Sequence, residues 1–94
     1  MTDFADLEAA ARAQLERMQR LSDDLADIRV AHATAGDAVT VVVDGTARIL
    51  DIQLSEGISR MSPGEFGQAV VAAAATAAQR ALALRGHLIE EFDN

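Results

Sequence analysis

The chain has 94 residues and a formal charge of −7. That size holds one domain, expected over residues 1–94, and a chain this short buries only about two-thirds of its unfolded surface by itself. Half of the residues are apolar, but about one in five is alanine and the aromatics are Phe4, Phe66 and Phe92 alone, so any core is assembled from small pieces and gains from a second chain. The absence of cysteine excludes a disulfide framework, cysteine zinc sites and thiol catalysis. The start, Met1 to Asp6, has neither the basic opening nor the apolar run of a signal peptide, and no stretch of about 18 apolar residues occurs. The sequence reads as a soluble cytoplasmic protein without a membrane segment. With acids in excess and no lysine, a general polyanion-binding surface is excluded, and any nucleic-acid site must be local.

The apolar positions Phe4, Leu7, Ala11, Met18, Leu21, Leu25 and Ile28 follow steps of three and four, which predicts an amphipathic helix over 4–28, roughly 37 Å long. Its stripe is nearly a heptad seam without a neighbouring partner helix in the sequence. It serves either to dimerise or bind a partner, or to pack on the chain's own sheet. Val30 to Ala35 is β-compatible, Gly36-Asp37 marks a turn, and Ala38 to Val43 is a β-branched run. Asp44-Gly45 predicts a two-residue type I′ hairpin turn, with a third strand from Thr46 to Leu54. That register sets Val43 opposite Thr46 and Val41 opposite Arg48, and gathers Val39, Val41, Val43, Leu50, Ile52 and Leu54 on one face.

Ser62-Pro63-Gly64-Glu65 is a capping box with proline at the first helical position, and predicts a second long helix from Pro63 to about Glu91. Val70, Ala74, Ala77, Ala81, Leu84 and Leu88 run along it, and Gly86 is its weak point. Small residues on one side allow close approach of another backbone. The layout is therefore α+β: a long helix, a three-stranded antiparallel sheet and a long helix. Leu7, Ala11, Met18, Leu21, Leu25, Val70, Ala74 and Ala77 are the candidate dimer-interface residues of an intertwined homodimer.

His32 and His87 stand without partner motifs, and no HExxH, P-loop, GxGxxG or GxSxG occurs, so the residues point to no enzyme, metal or cofactor. The arginines are more informative. Glu8, Arg12, Glu16, Arg20 and Asp24 succeed one another at four-residue spacing, which matches Arg12 and Arg20 with acids on one helix face. Arg17 has no acid three or four residues away, and the stretch from Phe66 to Ile89 contains Arg80 and Arg85 but no carboxylate. These three arginines either meet a partner or lie over alanine-rich surface and bridge to acids of a second subunit.

In order and spacing, several segments resemble the YbaB/EbfC family of nucleoid-associated proteins. They are Ala13-Gln14 with Met18-Gln19, Ala35-Gly36 before Val39-Thr40-Val41, Asp44-Gly45, Ile49 to Leu54, and Val70 to Ala74 leading to Ala77-Ala78-Gln79-Arg80. The resemblance spans nearly the whole chain, and the chain departs from the family in having no lysine. It implies a bacterial homodimer located on the nucleoid, with DNA contacts on both terminal helices. On this sequence those contacts fall to Arg17, with Arg12 and Arg20, and to Arg80 and Arg85. The leading expectation is weakly specific binding to DNA phosphates. The alternative is a protein-interaction module of the same fold, which acidity and the lack of lysine favour.

Overall fold

A computed structural model describes residues 3–94; Met1 and Thr2, the start of the expected domain, lie outside the described residues. The Asp3 side chain accepts from the Asp6 amide and opens helix α1, Phe4–Ala26. A side-chain acceptor here satisfies one of the amides that a helix start leaves unpaired. The helix stops two residues short of the predicted end, because Ile28 leaves the helical path and is buried in the core, 4% exposed. Strands β1 (Arg29–Thr34), β2 (Val39–Asp44) and β3 (Ile49–Leu54) form an antiparallel sheet in chain order. Ala35, Gly36 and Asp37 all take positive φ in the first hairpin loop, at the turn expected from Gly36-Asp37.

The second hairpin corrects the expected register. Its loop is not the two-residue turn Asp44-Gly45 predicts. The Asp44 amide donates to the Arg48 carbonyl, and the Ala47 amide donates to the Asp44 carbonyl. Ala47 takes φ 67°, so Gly45, Thr46 and Ala47 make the loop, the three-residue form that ends in a left-handed residue. Asp44 selects it: its Oδ1 accepts from the Thr46 amide, the Thr46 hydroxyl and the Arg48 amide. As a result β3 begins at Ile49 rather than Thr46. Val39 then pairs with Leu54 and Val41 with Ile52 rather than Arg48, and a register shift after Val42 sets Ile49, rather than Thr46, opposite Val43. The apolar face survives with Ile49 in place of Leu50.

A short 3₁₀ turn, Glu56–Arg60, leads to helix α2, Pro63–Asp93. Both halves of the Ser62–Glu65 capping box are present, and the helix runs through Gly86 without a break. Helix α2 lies across β1 and β2. It presents Ala69, Ala73, Ala77 and Ala81, one per turn, to Val39, Val41 and Val43, and all seven are buried. Side chains no larger than methyl on the helix let it settle directly onto a valine layer, which is how so small a chain achieves dry packing. The Thr34 hydroxyl donates to the Ala69 carbonyl at 3.0 Å and ties β1 to the first turns of α2.

Beyond this seam the molecule is open. All six residues of β3 are exposed, and α1 contains no buried residue. The radius of gyration is 20.0 Å, within an envelope of 72 × 18 × 16 Å, whereas a compact chain of this length has about 12 Å. Of the expected interface residues, Ala77 is fully buried in the chain's own core, and Leu25, Val70 and Ala74 pack against that core. Leu7, Ala11 and Met18 are exposed, and Leu21 is half-buried.

Candidate nucleic-acid interface

Apart from Arg60, at the end of the 3₁₀ turn, the arginines fall at three places along the molecule. On α1, Arg12 donates to Glu8 at 3.2 Å in the exposed ion pair its spacing predicts. Arg20 does not follow that pattern. Among the described residues the ion pairs are Arg12–Glu8 and His87–Glu91, and Arg20 instead lines a cleft of about 190 Å³ with Arg17, Leu21, Asp24 and Phe92.

Arg17, expected to be uncommitted, has one partner on its own helix and one distant in sequence. Its Nη1 donates to Gln14 Oε1 at 3.1 Å and its Nη2 to the Phe92 carbonyl at 3.3 Å. The guanidinium carbon stands 5.3 Å from the centroid of the Phe92 ring. The contact combines stacking over an aromatic face with a hydrogen bond to a carbonyl at a helix C-terminus, where positive charge is favoured. Arg17 thus fastens α1 to the end of α2. The guanidinium remains exposed and keeps donors to spare.

At the second place, Arg80 projects from α2 to β1, where its Nη1 meets Nδ1 of the half-buried His32 at 3.2 Å. The pair belongs to no ion pair among the described residues. The sequence separates these residues by 48 positions and gives no motif joining them, so His32 reads there as a rim histidine.

The third place is a cleft of about 260 Å³ at the hairpin end of the sheet, lined by Leu25, Ala26, Arg29, Asp44, Gly45, Thr46 and Arg85. Arg85 is half-buried and has no hydrogen bond or ion pair among the described residues. Arg29, which no sequence pattern singles out, donates through Nη1 to the carbonyls of Ala26 and Ile28 at 3.0 and 2.7 Å. It thereby closes the carbonyl end of α1. The hydrogen bond from the Thr46 hydroxyl, with those from the Arg48 and Thr46 amides and the Arg48 charge, holds the Asp44 carboxyl below its usual range. That carboxylate is consequently occupied by its own turn. Arg48, expected in the third strand opposite Val41, sits exposed between the loop and β3.

The arginines therefore form an interrupted basic track rather than one patch. The sequence profile of the YbaB/EbfC DNA-binding family matches residues 1–92. The chain belongs to the YbaB/EbfC family. The family is a DNA-binding one, not an enzyme family, and the helix, three antiparallel strands and helix expected of it are the observed layout. Among solved structures, the crystal structure of an uncharacterized protein, HP0035 from Helicobacter pylori, matches with a TM-score of 0.72 at 15% sequence identity, over 100% of each chain. At that identity the likeness is one of fold. No functionally curated protein matches the sequence. Among the described residues no helix is long and apolar enough to cross a membrane.

Proposed function

We propose that the chain is a homodimeric, nucleoid-associated DNA-binding protein of low sequence specificity, which grips backbone phosphates through arginines of its two helices. Arg80 and Arg85 are the principal contacts, and Arg12, Arg17 and Arg20 add to them from α1. The observation that carries this reading is the carboxylate-free stretch Phe66 to Ile89 in a protein of net charge −7. Among the described residues, Arg85 makes no hydrogen bond or ion pair there and Arg80 meets the His32 imidazole. In an otherwise acidic protein such a segment concentrates positive potential at one place, where a polyanion can be held. Phosphate contacts position a protein on a duplex without reading sequence, which accounts for the low specificity expected.

Surface area supports the second copy. The chain exposes 6617 Å², against about 5,200 Å² for a compact monomer of 9.9 kDa. The excess, about 1,400 Å², is more than the roughly 800 Å² each partner buries in a standard stable interface. Ile49, Leu50, Ile52 and Leu54 on β3 are 46%, 43%, 42% and 48% exposed, and we assign this strip to the dimer contact, with the apolar stripe of α1 beside it. Two chains double the basic track, although the dimer also carries twice the −7 charge, so affinity is modest and sensitive to salt.

The test is an electrophoretic mobility shift at low salt with the triple variant Arg17→Glu, Arg80→Glu, Arg85→Glu. Loss of the shifted band is expected; undiminished binding by the triple variant removes the proposed site. One observation favours the second reading, a protein-interaction module. Phe4 and Leu7 are 79% and 60% exposed at the far end of α1, and an apolar helix tip suits a protein partner. An apolar interface would leave affinity nearly independent of salt, unlike a phosphate grip.

A further inference from the structure

His32 and Arg80 are two basic side chains in direct contact, an arrangement normally mediated by an acid. A guanidinium can only donate, so His32 Nδ1, 3.2 Å from Arg80 Nη1, is the acceptor. The neutral ring therefore carries its proton on Nε2. Protonation of the ring converts that acceptor into a donor and turns the contact into a repulsion between cations. An anion placed across the two groups reverses the balance, because it accepts from both at once. We propose that His32 and Arg80 form one phosphate-binding unit, in which bound DNA phosphate replaces the imidazole as the acceptor for Arg80 and draws a proton onto His32. The inference rests on the DNA-binding reading and adds to it a proton taken up on binding.

The surroundings leave this unit without internal neutralisation. From β2, the residue opposite His32 is Val41, flanked by Thr40 and Val42. Val30 and Thr34 share the face of His32 along β1. From α2, the group that reaches His32 is Arg80, in a segment with no acid from Phe66 to Ile89. No carboxylate forms an ion pair with either residue among the described residues. Arg80 is exposed and His32 half-buried, and their contact lies at the surface, where a duplex backbone can reach it. By contrast, His87 lies 3.0 Å from Glu91 and has an acid of its own to receive its charge.

The expected consequence is tighter DNA binding as pH falls through the ordinary histidine range. If phosphate raises the histidine midpoint by one unit, the gain in affinity on protonation approaches about tenfold per site. The experiment measures duplex DNA affinity at pH 8 and pH 6, at fixed ionic strength, for the wild type, His32→Gln and His87→Gln. Glutamine at 32 still offers Arg80 an acceptor but cannot charge. His32→Gln should lack the gain between pH 8 and pH 6, and His87→Gln should retain it. A pH response preserved in His32→Gln, or equal loss of binding at both pH values, overturns the proposal and leaves the DNA reading standing. In parallel, the His32 ring is titrated by NMR with and without inorganic phosphate. If the wild type fails to bind DNA at either pH, the DNA reading fails. The NMR arm then decides the unit by itself: an upward shift of the His32 midpoint with phosphate supports it, and an unmoved midpoint overturns it.

Discussion

Replacing Ile52 by alanine separates the proposed dimer from a self-sufficient monomer. Ile52 pairs with the fully buried Val41 but lies beyond the cover of α2 and is 42% exposed. Truncation to alanine removes three carbon groups, each contributing about 0.8 kcal/mol when buried. A little over half of that burial exists within the single chain, so folding of one protomer loses about 1.4 kcal/mol. The remainder, about 1 kcal/mol per protomer, is realised only when a second chain covers β3. A twofold interface uses the residue twice. The dimer dissociation constant should therefore rise by the equivalent of about 2 kcal/mol, roughly thirtyfold. Sedimentation equilibrium over a wide concentration range measures it directly. A wild type that remains monomeric at high micromolar concentration refutes the assignment, as does an Ile52→Ala chain that dimerises as tightly as the wild type.

Other expectations concern the fold itself. Ala77 has no exposed surface and faces the valine layer, so Ala77→Leu should cost about 1–3 kcal/mol by overpacking. Ala75→Leu, on the exposed side of the same helix, should stay within about 0.5 kcal/mol of the wild type by urea unfolding. Nothing lies within 4 Å of a Cβ built at Gly86, and Gly86→Ala should raise stability by about 1 kcal/mol through helix propensity alone. The Asp44 carboxyl titrates below its ordinary value of 3.8 in the folded chain. Its contribution is thus present above that pH and is lost as pH falls through the lower folded value. The Tm difference between wild type and Asp44→Ala should be full at pH 5 and shrink on acidification below pH 4.

What was readable from the sequence was mostly local. The Ser62–Glu65 cap, the valine run of β2 and the turn at Gly36-Asp37 each depend on a few adjacent residues whose chemistry fixes the backbone. The second hairpin was misread because Asp44-Gly45 suits two turns, and the side-chain bonds from Asp44 to Thr46 and Arg48, with Ala47 in a left-handed conformation, select the longer one. An Asp followed two residues later by Thr was the available signal for such a side-chain-closed turn. Periodicity identified α1 as a helix but could not tell that it leaves its apolar stripe outside the core. The candidate site was legible as residue types and not as contacts. Arg17 on Phe92 and Arg80 on His32 join positions 75 and 48 apart, and only the path of α2 over β1 and past α1 brings them together. Arg29 escaped notice because its partners are main-chain carbonyls, which leave no trace in composition.

The central claim is that guanidinium groups of α2 hold DNA phosphates, and the salt dependence of duplex binding tests it most directly. Arg80 and Arg85 from two protomers make four contacts, for which log affinity against log salt should fall with a slope of about −3.6. The double variant Arg80→Gln, Arg85→Gln should flatten that slope by about the same amount while leaving the thermal unfolding transition in place. A slope unchanged by the double variant, or no duplex binding by the wild type at low salt and micromolar protein, would contradict the account.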